Sequence, residues 1–116
     1  MKVVKKAAAA LAANIHEPAA NTAAVVTYAA APALKAHVIS GVAWSYDGVP
    51  TNGSLVILDG AARVFAVSVT TAGPGFIPFD PPFKGTDAAT MTVTLAAPGG
   101  AVAGKLNVLG HFIELS

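Results

Sequence analysis

Apolar and polar residues alternate with a period of two along much of the chain. Residues 90–95 show it most plainly, Met91, Val93 and Leu95 interleaving with Thr90, Thr92 and Thr94. Successive side chains on a strand point to opposite sides, so this pattern predicts a half-buried strand. In residues 63–70, Phe65, Val67 and Val69 alternate with Ala66, Ser68 and Thr70. With the apolar run 55–58 and the Asp59-Gly60 turn signal, they predict a hairpin whose loop has about four residues. Burying each inward side chain of that hairpin is worth roughly 1.5–3 kcal/mol. Val67→Asp is therefore expected to unfold the domain.

Other stretches follow the same grammar. Residues 23–28 predict a strand, and so do residues 37–46, with Val38, Val42, Trp44 and Tyr46 on one side and Ile39, Gly41 and Ala43 on the other. Residues 47–53 are dense in turn formers. Residues 102–109 put Val102, Leu106 and Val108 on one face. A bulge at Gly110 then leads into residues 111–115, which continue that strand or form a last one. Pro74, Pro78, Pro81 and Pro82 exclude a helix or a central strand from their segment, because each lacks an amide donor and fixes φ. That segment is read as an edge strand or an extended loop, covered by the domain's own core or by another chain. Seven to eight short strands without an apolar helix make an all-β chain, an antiparallel β-sandwich or jelly roll. It occupies residues 21–116 and is preceded by an extended alanine-rich arm, residues 1–20.

Composition narrows the function. A length of 116 residues suits one domain, and the absence of cysteine removes disulfides and thiolate metal sites. A formal charge of +1 offers no concentrated basic face for nucleic acid. The arm's weak alanine run is not a membrane span. Lys2, Lys5 and Lys6 ahead of it also fit the start of a secretion signal. Charged residues are 11% of the chain, against about 25% in ordinary soluble domains. Such an exterior suits packing against other subunits.

Catalytic chemistry finds no foothold. His16, His37 and His111 lack partners at metal-ligand or acid–base spacing and are read as exposed or edge histidines. Asp47, Asp59, Asp80 and Asp87 sit beside Gly, Pro or Thr and are read as turn residues bonding nearby backbone. The serines lack a Gly-x-Ser-x-Gly elbow. No enzyme activity and no cofactor are expected. Trp44 and Tyr46 share a face with Val42, which reads as core packing or, alternatively, as an aromatic platform for a sugar ring.

The segments GSLVILDG, TTAGPGFIPFDPPFKG and MTVTLAAPGGAVAGKLNVLGH resemble a family of small β proteins encoded among the structural genes of tailed bacteriophages. The resemblance implies a virion component on the capsid surface, a decoration (cement) protein that clamps adjacent capsomers. Its partners would be the major capsid protein and itself, as a homotrimer. The expected interface comprises Lys2, Lys5, Lys6, Leu11 and Ile15 in the arm. Phe76, Ile77, Phe79 and Phe83 in the proline segment complete it. The alternative is a carbohydrate- or receptor-binding β module of a phage tail or fibre.

Overall fold

A computed structural model of the chain describes residues 15–30 and 33–114, apart from the side chains of Phe112 and Glu114. Lys2, Lys5, Lys6 and Leu11 of the expected interface lie outside the described residues. Eight strands and no helix are found among them: β1 (Ile15–His16), β2 (Ala24–Tyr28), β3 (Lys35–Tyr46), β4 (Gly53–Asp59), β5 (Ala62–Val69), β6 (Gly73–Lys84), β7 (Met91–Leu95) and β8 (Gly104–Glu114). They form two antiparallel four-stranded sheets, sheet A in the order β1-β8-β3-β6 and sheet B in the order β2-β7-β4-β5. Only β4 and β5 are consecutive neighbours in one sheet; every other connection crosses to the opposite sheet. This is the strand order of a jelly roll, an antiparallel β-sandwich.

The core lies between the sheets, built from the inward residues of their central strands. Leu55 and Ile57 of β4, Met91, Val93 and Leu95 of β7, Leu106 and Val108 of β8 and Val42 of β3 are all buried. Tyr46 crosses this core and donates its hydroxyl to the Ala96 carbonyl at 2.7 Å. The alternation read in residues 90–95 is therefore the burial pattern of a strand flanked on both sides.

Four local features differ from the sequence reading. The hairpin turn holds two residues, not four, because Asp59 pairs with Ala62 and Gly60 supplies φ +63°. The bulge lies on β3 rather than β8: Ser40 is the extra residue between the pairs Ile39–Gly110 and Gly41–Leu109. That insertion switches faces, so Ile39, not Val38, joins Val42 and Tyr46 in the core cluster. Val67 is 37% exposed because β5 is an edge strand, so it does not anchor the core as its alternation implied. Finally, Asp80 lies within β6, and the other three aspartates reach residues distant in sequence. Asp47 accepts from the Ala103 amide at 2.8 Å, Asp87 from the Leu34 amide at 2.8 Å, and Asp59 from the Thr86 hydroxyl at 2.7 Å. They join loops of different strand pairs instead of closing their own turns.

Between β2, β3 and β8, Tyr28 stacks on His37 with ring centroids 5.3 Å apart. His37 is itself buried, which corrects the expectation of an exposed histidine. The Tyr28 hydroxyl is buried with no hydrogen-bond partner among the described residues, and burial pushes its pKa up to about 12. The folded state thus holds this proton more tightly than the unfolded chain does. The contribution of Tyr28 to stability is intact below pH 10 and falls as the pH rises from there through 12. Tyr28→Phe is expected to be neutral or slightly stabilising at pH 7, because it deletes an unsatisfied group. At pH 11.5 the variant should lead the parent by about 2 kcal/mol, read from urea midpoints at the two pH values. An unchanged gap between the two would refute this.

Candidate functional site

The outward residues of sheet A line up in rows because its four strands are in register. Ile15 pairs with Asn107, Asn107 with Ala43, and Ala43 with Phe76, so one row crosses β1, β8, β3 and β6. In the next row Lys105 pairs with Ser45, and Ser45 with Pro74, while Glu17 follows just beyond β1. At a strand spacing of about 4.8 Å, Ile15 and Phe76 stand roughly 14 Å apart.

Side-chain size along these rows shapes a groove. Ala43 and Ser45 keep the middle low, Pro74 and Phe76 raise one wall, and Ile15 and Glu17 raise the other. Lys105 and Asn107 stand on the floor strand beside them, and the groove has a volume of about 600 Å³. Phe76 is 55% exposed. Its ring lies over Gly41, where an added Cβ would come within 3.1 Å of Cε1. Ile15 is 56% exposed on the opposite wall.

The far wall is held by an inward neighbour. His16 turns into the sandwich and accepts the Val25 amide at Nδ1, 2.9 Å away, which ties β1 to β2 and leaves Ile15 and Glu17 pointing out. Accepting at Nδ1 places the imidazole proton on Nε2.

The expected interface residues divide between two environments. Ile15 and Phe76 face the groove, whereas Phe79 and Phe83 turn inward and pack edge to face, with ring centroids 4.6 Å apart. Phe65 of β5 closes that cluster, 5.2 Å from Phe79. Ile77 is half-buried on the inward side of β6. The Trp44–Tyr46 platform does not form. Tyr46 is 1% exposed, and Trp44 packs partly buried against the core with its indole over Gly75, where it borders the groove without standing out as a flat platform. Asn107, Lys105, Glu17 and Ser45, missed in the sequence, supply the polar groups of the groove. Such a surface combines an exposed aromatic ring with hydrogen-bonding groups one to three strands away, roughly 5–14 Å, on a rigid sheet. It has no nucleophile–base pair, and no group of three or more metal-ligating side chains occurs among the described residues.

Among solved structures, the chain is similar to a Family 16 Carbohydrate Binding Module-2, with a TM-score of 0.53 and 14% identity over 81% of this chain and 73% of that one. The fold resembles a carbohydrate-binding module. Looser likenesses are to the insecticidal delta-endotoxin Cry8Ea1 from Bacillus thuringiensis and to the CBM36-1 domain of a multidomain xylanase from the hindgut metagenome of Trinervitermes trinervoides. The first has a TM-score of 0.48 and 12% identity over 86% of this chain and 20% of that one. The second has a TM-score of 0.43 and 11% identity over 83% and 73%. At such identities the likeness is one of fold. No protein-family model matches the chain, and no curated protein does.

Proposed function

We propose that the groove on sheet A binds a carbohydrate chain and that the protein acts as a binding module without turning its ligand over. The observation that carries this is Phe76, a half-exposed ring set across a floor of small residues from Asn107, Lys105 and Glu17. A sugar ring has one apolar face and a rim of hydroxyls. The Phe76 ring offers a surface for the first, and the polar residues offer donors and acceptors for the second. The fold's likeness to a carbohydrate-binding module supports this reading above capsid decoration. The resemblance of residues 53–111 to phage structural proteins is accommodated if the module sits on a tail or fibre. Capsid decoration rests on the low charge, on that same resemblance and on an arm whose residues 1–14 lie outside the described structure.

Affinity electrophoresis against a panel of soluble polysaccharides tests the proposal, followed by calorimetry on any that retard the protein. Phe76→Ala is expected to weaken binding about tenfold, equivalent to about 1.4 kcal/mol, with an unchanged melting temperature. Absence of retardation by every polysaccharide, or full affinity in the variant, would remove the groove as a glycan site.

A further inference from the structure

A sandwich of two open sheets has four edges, and among the described residues three of these are short, proline-bearing or partly occupied. On sheet A, the described part of β1 is the two residues Ile15–His16. At the other side β6 carries Pro74, Pro78, Pro81 and Pro82, which have no amide hydrogen to give a neighbouring strand. On sheet B, the edge-facing Val25 amide of β2 is already donated to His16.

β5 has none of these protections, and its one irregularity is a bulge at Val64, the extra residue between the pairs Ile57–Phe65 and Leu58–Arg63, which leaves Phe65–Val69 as a regular edge. It is eight residues long, holds neither proline nor lysine, and lies at the outside of sheet B. Its outer backbone groups meet no partner among the described residues. Val64 and Val67 are 39% and 37% exposed along it. Long, apolar, unpaired edges template strand addition.

We infer that β5 is the seam of a homodimer, pairing antiparallel with β5 of a second copy. Residues opposite each other in an antiparallel pair share a face, so a twofold axis normal to the sheet at Val67 preserves inside and outside. That register sets Val67 against its own copy, Phe65 against Val69 of the second copy, and Ala66 against Ser68 of the second copy. Aromatic and β-branched residues opposite each other are favourable cross-strand pairs. Arg63, the one charge on β5, is four residues from the axis. Even with the Val64 bulge shortening each strand, the two guanidinium groups stand more than about 20 Å apart along the seam. This self-matching argues for a second copy over a foreign strand, and so does the low charged fraction of 11%. The prolines of β6 keep the two A sheets from competing for the same seam. Because the axis is normal to the sheets, both grooves open on the same side. Where the glycan reading holds, the dimer grips one polysaccharide surface at two points. The seam itself does not depend on that reading.

The chain has no cysteine, so Val67→Cys places a single thiol on the proposed axis. Mild oxidation of the full-length variant should give a disulfide-linked dimer, while Val49→Cys, in a loop where the native side chain is 70% exposed, should remain single. Sedimentation equilibrium of the unaltered chain should show a monomer–dimer equilibrium. Val67→Lys should raise its dissociation constant at least tenfold, with circular dichroism and melting temperature retained. If that variant does not fold, Ala66→Lys, at an exposed position, takes its place. A chain that stays monomeric at its highest attainable concentration overturns the inference. A dimer indifferent to lysine on β5 overturns it equally. Phe76→Ala should leave the dimer intact, which separates failure of the seam from failure of the groove.

Discussion

Val93→Asp abolishes cooperative folding, whereas Val67→Asp leaves a folded domain: this is the larger contrast expected from the architecture. Val93 is fully buried on β7, with Val26 of β2 paired on one side and Ile57 of β4 on the other. A carboxylate there has no partner in the core cluster around it. Burying it unpaired costs several kcal/mol, on top of the lost apolar contact. Domains of this size are stable by only about 5–15 kcal/mol, so one such change exhausts the margin. Val67 has the same residue type and the same alternating context, but it sits on an edge strand and keeps 37% of its surface in water. A carboxylate at that position remains solvated, and the expected loss is within about 1 kcal/mol. Circular dichroism through a urea titration distinguishes the pair. A Val93→Asp protein that unfolds cooperatively within 2 kcal/mol of the parent would contradict this assignment of the core.

The same contrast marks where sequence reading stops. Period-two alternation tells which residues of a strand share a face. It does not tell whether the strand is central or marginal, and that decides how deeply the face is buried. Residues 90–95 and 63–70 alternate alike, yet one segment is β7, flanked on both sides, and the other is β5, flanked on one. Proline settled the matter for β6, because a missing amide is a local property that requires an edge. The Ser40 bulge left no local mark, since Ser fits either a regular strand or a bulged one. Its effect, placing Ile39 and not Val38 in the cluster between the sheets, is visible only through the pairing with β8 and β6.

The candidate site suffered the same limit. Phe76 and Ile15 both belong to the interface expected from the sequence, but they lie 61 positions apart and share a row only because β8 and β3 stand between β1 and β6. Asn107, Lys105 and Ser45 acquire meaning from that row alone. One signal was available: Gly41, Ala43 and Ser45 are small at every second position of a strand whose other face carries Val42, Trp44 and Tyr46. Small residues on the outward face of a strand rich in aromatics leave room for something to lie against it. Of the two rings, Tyr46 is enclosed in the core, whereas Trp44 packs over Gly75 and borders the groove.

Gly53→Ala is expected to cost about 3 kcal/mol, through one added carbon. Gly53 opens β4 opposite Val69, and a Cβ built on it falls onto the Val69 carbonyl oxygen. The same carbon meets Pro50 Cγ and Tyr46 Cε2, each at 3.0 Å. None of the three can retreat cheaply. The Val69 oxygen belongs to the backbone of β5, and Pro50 is a buried ring. Tyr46 is pinned by its hydroxyl on Ala96, whose own amide donates to the Ser54 carbonyl at 2.9 Å. Moving Tyr46 would therefore disturb both sheets, and moving Val69 would open the hairpin where β5 ends. Gly60 provides the control. An added Cβ there meets nothing within 4 Å, so Gly60→Ala carries only the left-handed backbone penalty at φ +63°, roughly 1 kcal/mol. Denaturant midpoints of the two variants should therefore differ by about 2 kcal/mol, with Gly53→Ala the weaker protein. Equal midpoints would mean that the β4–β5 ladder yields at this corner, and that crowding around Tyr46 does not fix its register.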